Sequence, residues 1–424
     1  MTASVRMTLV LCMLLACIMP ATGQSGLRVV TDLYQWGPAV GGLVEGTPGV
    51  FYTIGGREPY AVFSVNTEGT KIYLALLPKG LHPQAPLVSG ANQLFYSAFA
   101  RARSHHQAQV FSVGHEPGKQ DYDPQDIDPL LTQNLPDGSL LAIGAGPFHS
   151  PWYIAKVNLD GSVIPLSGFP NVNGVDALLF GNDGNYYGVA VTNTSGYIFR
   201  RNPGSDSTLY SFPAGSFALN QMPVPFIQAH DGTLYGATPY GANGSGTLYK
   251  VTLDGQYTLL YTFPANDNAG ALIEASDGNI YGSSRTGDLF RITPSGQYSV
   301  LYTASNASCV CALIPGSDGI LYGAFAAGPY PQSGIIYAFD AGLRKPVPRA
   351  HYLAPPQGSV GTEVRIWGDN LLSASVTFNG VAADSVYNSG PNYIYATVPA
   401  GATTGPLTIT TPGGSVTTAS FFVH

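Results

Sequence analysis

Asp277-Gly278-Asn279-Ile280-Tyr281-Gly282 decides the fold, because the chain repeats it. Asp231-Gly232-Thr233-Leu234-Tyr235-Gly236 and Asp318-Gly319-Ile320-Leu321-Tyr322-Gly323 are close copies. Asp183-Gly184-Asn185-Tyr186-Tyr187-Gly188 is a fourth and Asp137-Gly138-Ser139-Leu140-Leu141 a weaker fifth. Asn92-Gln93-Leu94-Phe95-Tyr96 and Pro48-Gly49-Val50-Phe51-Tyr52 extend the series in decayed form. The copies start at 48, 92, 137, 183, 231, 277 and 318, spacings of 41 to 48 residues. Outward from residue 277, apolar runs lie at 271–274, 280–282, 288–292 and 298–302, with Asp-Gly and Ser-Gly turns closing two hairpins. Glycine suits those turns because it takes positive φ without a Cβ clash. Four short strands per unit, repeated seven times at this period, predict a seven-bladed β-propeller.

The ends of the array fit closure. The seventh unit shows three strands, through 334–339, and no fourth before Lys345-Pro346-Val347-Pro348. Leu27-Arg28-Val29-Val30-Thr31-Asp32-Leu33-Tyr34 resembles the fourth strands at 257–262 and 298–303. Residues 27–34 are therefore expected to complete the last blade of a propeller spanning 24–345, removing its open edges. Composition agrees. Only 10% of residues are charged, against roughly 25% in an ordinary soluble domain. The 52 glycines, 33 prolines and 26 tyrosines favour turns and strands over long helices. A formal net charge of −7 gives a polyanion nothing to bind, so no nucleic-acid partner is expected.

The units resemble the GloVer-type tandem repeat of secreted bacterial proteins. Residues 231–263 carry the likeness best, with Gly246-Thr247-Leu248-Tyr249-Lys250-Val251-Thr252-Leu253-Asp254-Gly255 in the second half. The resemblance covers about 27–345, is weakest in the first three units, and implies a propeller in an extracellular setting without an established chemistry.

Residues 1–23 read as a secretory signal peptide: Arg6, an apolar run over 7–19, Pro20, then Ala21-Thr22-Gly23. Cys17 after Leu14-Leu15-Ala16 allows a lipid anchor as the minor alternative. No other run approaches the length of a membrane span, so no transmembrane segment is expected and the location is secreted or cell-surface. Cys309 and Cys311 remain in the mature chain. Two residues apart on a strand, they stand at or beyond the reach of a disulfide and read as small hydrophobes or a free thiol.

Beyond Pro348 the chain turns rich in Thr, Val and Ala, with short alternating runs at 363–367, 375–378, 393–398 and 407–410. That pattern predicts a small β-sandwich over 346–424. The segment resembles an IPT/TIG immunoglobulin-like domain. Pro355-Pro356-Gln357-Gly358-Ser359-Val360-Gly361, Gly368-Asp369-Asn370-Leu371, Phe378-Asn379-Gly380-Val381 and Thr411-Pro412-Gly413-Gly414 fall in the family's order. The resemblance implies a spacer or interaction module. The whole chain is thus read as all-β, a seven-bladed propeller followed by an immunoglobulin-like sandwich.

Candidate ligand residues come from the variable loops between second and third strands, which open on the face opposite the Asp-Gly turns. They are Arg101, Arg103, His105, His106, His149, Trp152, Tyr240, Asn243 and Tyr330. Aromatic rings beside amide and guanidinium groups suit a glycan or an extracellular protein. His105, His106 and His149 offer imidazoles but no acidic partner at suitable spacing, so no metal is assigned. Glu45, Gln133, Gln228 and Glu274 recur at the ends of first strands; the two carboxylates are either an acid–base pair or solvated. No catalytic residue and no cofactor is assigned, since no hydrolase elbow, zinc helix, phosphate loop or dinucleotide fingerprint occurs. The alternative is a metal-dependent enzyme resembling seven-bladed streptogramin lyases, which use a metal with His and Glu. Here Tyr stands where those enzymes favour Trp, and their His-Glu cluster is not evident.

Overall fold

The computed structural model describes residues 26–424 except 34–38, 40–41, 57, 78, 84–85, 102–103, 115–118, 123–129, 146–151, 170–171, 194, 203–204, 218–224, 242–243, 305–306 and 328–333. Side chains of 81, 100–101, 104–109, 119–122, 130, 145, 307–311 and 326–327 also lie outside the description. All regular structure among the described residues is β. No helix there is long and apolar enough to cross a membrane.

Among the described residues, seven antiparallel sheets lie between Leu27 and Phe339, numbered here in chain order. The sixth sets the pattern: Ala269–Glu274, Ile280–Ser284, Asp288–Ile292 and Tyr298–Thr303, each paired with the next. First strands of successive sheets touch one another from Val44–Thr47 round to Ala307–Pro315, forming an inner wall from which the other strands run outward. The second sheet departs from the pattern. Its first strand is split into Leu81–Pro83 and Val88–Ser89, both paired with Phe95–Arg101. In the seventh sheet the outermost strand is Leu27–Asp32, which pairs antiparallel with Gly334–Phe339, Leu27 facing Phe339 and Asp32 facing Ile335.

The repeated sextet explains itself atom by atom. Gly278 lies at φ 76° and its counterpart Gly319 at 90°, a backbone conformation that residues with a side chain rarely adopt. The preceding Asp closes the turn twice. Asp277 Oδ1 accepts the Asn279 N–H at 3.1 Å, and Oδ2 accepts the Tyr281 hydroxyl at 3.0 Å. Tyr187 and Tyr322 donate likewise to Asp183 and Asp318, at 2.6 and 2.8 Å. The second glycine makes room. Gly282 faces Phe290, Gly236 faces Tyr249 and Gly323 faces Tyr337 across the sheet. A Cβ on Gly282 would stand 2.3 Å from the Phe290 ring, so the ring lies over the bare glycine.

Neighbouring sheets are wedged by paired tyrosines. Tyr210 stacks on Tyr257 at 4.0 Å and 9°, and Tyr261 on Tyr298 at 3.7 Å and 3°. Residues 349–423 form two further sheets. One orders Arg349–Ala354, Glu363–Asp369, Tyr393–Thr397 and Val386–Asn388; the other holds Gln357–Gly358, Gly414–Val423, Gly405–Thr411, Ser375–Phe378 and Val381–Ala382. Val364, Ile366, Ile394, Leu407, Ile409 and Phe421 are buried between them.

Candidate functional site

The ring of sheets has two ends, and the chain treats them differently. At the turn end, the residue three before each Asp position sits on the inner wall: Glu45, Asn134, Gln228 and Glu274 among them. Each reaches back to the preceding sheet. Glu45 accepts the Ser317 N–H and hydroxyl, both at 2.8 Å, and the N–H of Gly49 at 2.7 Å. Asn134 donates to the Ser89 carbonyl and hydroxyl at 3.1 and 3.0 Å. Gln228 accepts the Asn182 N–H at 2.9 Å, and Glu274 accepts the His230 N–H at 2.9 Å and bonds its ring. Gln133, one position earlier, grips both backbone groups of Phe180.

The expectation of an acid–base pair or solvated carboxylates at Glu45 and Glu274 therefore fails. Glu45 is buried and Glu274 nearly so, and each is spent on a different turn. Burial raises the Glu45 pKa, opposed by the Gly49 and Ser317 hydrogen bonds. These groups are latches between sheets.

The C-terminal sandwich sits on this end. Trp367 donates its indole N–H to Asn134 Oδ1 at 3.0 Å, and its ring meets Phe180 at 6.0 Å. Tyr395 donates to the Ala91 carbonyl at 2.7 Å, and Tyr393 to that of Leu135. Ser389 donates to the Gly90 carbonyl at 3.1 Å, and Arg349 reaches Glu274 at 3.3 Å. These contacts engage the second, third, fourth and sixth sheets. A cavity of about 360 Å³ remains between the latches and Arg349, Trp367, Asp369 and Asn392. A tethered spacer would not bury its own tryptophan in this way; the sandwich is a cap.

At the loop end, Asp267 joins the fifth and sixth sheets: its carbonyl accepts the Gly246 N–H at 3.0 Å, and its carboxylate accepts the N–H of Asn268 at 2.9 Å and of Thr286 at 3.1 Å, and the Thr286 hydroxyl at 2.9 Å. Of the nine ligand candidates, only Trp152 and Tyr240 have described side chains. Tyr240 follows the strand Leu234–Thr238 and is exposed at 38%. Trp152 is not a loop residue. It opens the strand Trp152–Val157, faces Ala145 and Phe169, and packs half-buried against the core around Ile143 and Phe169, its indole N–H without a hydrogen-bond partner among the described residues. Arg101, His105 and His106 also leave the expected loop, since Arg101 pairs with Ser104 and the long strand Ser104–Val113 holds both histidines. Their side chains lie outside the described residues, as do Arg103, His149, Asn243 and Tyr330 altogether. Cys309 and Cys311 fall on the strand Ala307–Pro315, with side chains likewise outside.

Sequence reasoning passed over Asp176. It occupies a bulge in Gly174–Phe180, between Val175 and Ala177, on the inner wall near the loop end. Its Oδ2 is buried and has no hydrogen-bond partner among the described residues, and desolvation pushes its pKa up to about 7. The signal available was an acid inside an otherwise apolar first strand. Among the described residues, no three His, Cys, Asp or Glu side chains cluster tightly enough to hold a metal.

Comparison with known proteins gives a family and a fold. Residues 174–390 match the Gloeobacter/Verrucomicrobia repeat. No curated protein matches. A catalytically inactive virginiamycin B lyase from Staphylococcus aureus, solved with quinupristin, is similar in fold at 14% identity and TM-score 0.52, covering 75% of this chain and 97% of its own. A streptogramin B lyase structure follows at 16% identity and TM-score 0.51, covering 75% and 100%. A fungal alcohol oxidase of the AA5 family, in complex with copper, is 12% identical at TM-score 0.50, covering 93% and 98%. At such identities the likeness concerns architecture alone: this is an all-β repeat protein with β-propeller neighbours.

Proposed function

The chain belongs to the Gloeobacter/Verrucomicrobia repeat family, and on that premise we propose that it is an exported recognition protein without catalytic activity. In this reading 24–345 form a seven-bladed propeller closed by the strand at 27–34, and 346–424 form an IPT/TIG-type immunoglobulin-like cap. Residues 1–23 direct export and are removed, leaving the protein secreted or at the cell surface. Its ligand is a glycan or an extracellular protein, held at the loop end. One observation carries the choice of end: Trp367, Tyr393 and Tyr395 of the sandwich are committed to the turn end, so the cap occupies the end opposite Tyr240. Tyr240 stands exposed there, and exposed aromatic rings are favoured anchors for both ligand classes.

A glycan array, with an extracellular-protein pull-down beside it, tests this reading. Binding lost in Tyr240→Ala supports it. Binding unchanged in both Tyr240→Ala and Trp152→Ala removes the loop end from the site.

A second reading, a metal-dependent enzyme like the streptogramin lyases, is favoured by the shared architecture and by the unpartnered Asp176 carboxyl on the inner wall. The described residues offer no set of three ligands, so no reaction step is assigned to a metal. Stoichiometric metal in the purified protein, together with turnover of quinupristin, would favour this reading over the first.

A further inference from the structure

The tyrosine wedges at the fourth–fifth and fifth–sixth junctions follow a register, and the third–fourth junction does not keep it. The outer-strand residue opposite Ile198, Leu248 and Leu289 is Tyr210, Tyr261 and Tyr302. In the third sheet the residue opposite Ile154 is Ser167. The partner half of each wedge pairs with the last apolar residue of the third strand, Tyr257 with Val251 and Tyr298 with Ile292. In the fourth sheet that pair is Asp206 with Arg201. Between the third and fourth sheets, two stacked rings are thus replaced by a serine and a carboxylate, and a valine or isoleucine by an arginine.

The replacement leaves space. A cleft of about 510 Å³ lies there, lined by Ser167, Arg201, Asp206, Lys156 and Tyr186. Arg201 is buried, forks onto both Asp206 oxygens at 2.5 Å, and lies 3.9 Å over the Phe169 ring. Lys156 is paired with Asp137. Through Lys156 and Tyr186 the cleft continues into a groove of about 250 Å³ against the sandwich, where Tyr352 is 53% exposed. Arg201 is buried, Ser167 half-buried and Asp206 exposed, so the polar groups that stand in place of the wedge can be reached from solvent.

We propose that this cleft between the third and fourth sheets binds a neutral saccharide, independently of the loop end. Its cations are already paired with carboxylates, so an ionic ligand gains little. Sugar hydroxyls donate and accept at once, which matches guanidinium, ammonium, carboxylate and serine groups set side by side. The apolar faces of a sugar ring match Tyr186 and, in the continuing groove, Tyr352. The cleft is within the usual range for a small ligand, and the groove adds room for a further ring.

The test is titration of the full chain with neutral and uronate oligosaccharides selected on a glycan array. The variant Ser167→Tyr/Arg201→Val/Asp206→Tyr restores the residues of the neighbouring wedges. It should fold and weaken neutral-saccharide binding about tenfold or more. Should it fail to show a cooperative transition, Lys156→Ala decides, with a several-fold loss expected. Trp152→Ala and Tyr240→Ala should leave this binding intact, which separates its failure from failure at the loop end. Absence of any neutral-saccharide binding, binding to uronates alone, or binding undiminished in the triple variant (or, if that does not fold, in Lys156→Ala) overturns the proposal.

Discussion

Asp176 shows what a single residue adds. Its sequence context, Gly174-Val175-Asp176-Ala177-Leu178, reads as an ordinary apolar strand with one polar side chain facing out. The bulge between Val175 and Ala177 changes which way that side chain goes, and pairing alone fixes the bulge. Desolvation then lifts the carboxyl from 3.8 to about 7. The folded protein therefore holds this proton up to near neutrality, whereas the unfolded chain releases it near pH 4. The resulting stability is fully present below pH 4 and is lost as pH rises through 7, by an upper limit on the order of 4 kcal/mol. Asp176→Asn should raise the melting midpoint at pH 8 and flatten its pH dependence between 4 and 7. An unchanged profile, read by calorimetry across that range, would mean the carboxyl is solvated. The turn residue Asp183 runs the other way: desolvation is outweighed by hydrogen bonds from Tyr187 and Asn185, which hold it below its usual value.

At the scale of one sheet, the sextet was legible down to its turns, and its second glycine was not. Sequence periodicity places Gly282 beside Tyr281 but cannot say what crosses over it. The structure puts Phe290 there, with the Ala271 carbonyl oxygen 2.7 Å from where a Cβ would stand. Gly278, by contrast, has nothing within 4 Å of its missing Cβ and needs only its positive φ. Gly278→Ala is expected to cost about 1 kcal/mol. Gly282→Ala should cost more, about 2–3 kcal/mol, because a packed ring and a backbone carbonyl must both give way. Urea unfolding of the two variants gives the order directly, and equal losses would show that the ring can move. The expectation that Arg101, His105, His106 and Trp152 lie in loops failed for a related reason. Polar and aromatic residues resemble loop, yet cross-strand pairing carries Arg101 onto Ser104 and Trp152 onto Phe169.

At the scale of the whole molecule, the sandwich is part of the ring's architecture. Trp367→Ala removes the bond to Asn134 and the contact with Phe180, in a site where the tryptophan is 4% exposed. A loss of about 3–5 kcal/mol is expected. Trypsin should then cut the connecting segment after Arg344, whose carbonyl accepts the Ser276 hydroxyl at 2.7 Å in the docked protein. Cleavage no faster than in the parent chain would show that Tyr393, Tyr395 and Arg349 hold the cap without it. By itself the sequence determined the local repertoire: strands, Asp-Gly turns, seven recurrences and a second β unit, all consequences of short-range periodicity and turn stereochemistry. Only the tertiary structure decided that Glu45, Gln133, Asn134, Gln228 and Glu274 latch neighbouring sheets, that one end of the ring is capped, and that the tyrosine wedge is missing between the third and fourth sheets. Those features depend on side chains far apart in the chain meeting across sheets, and no local pattern encodes which partner a glutamate, a tryptophan or a serine will face.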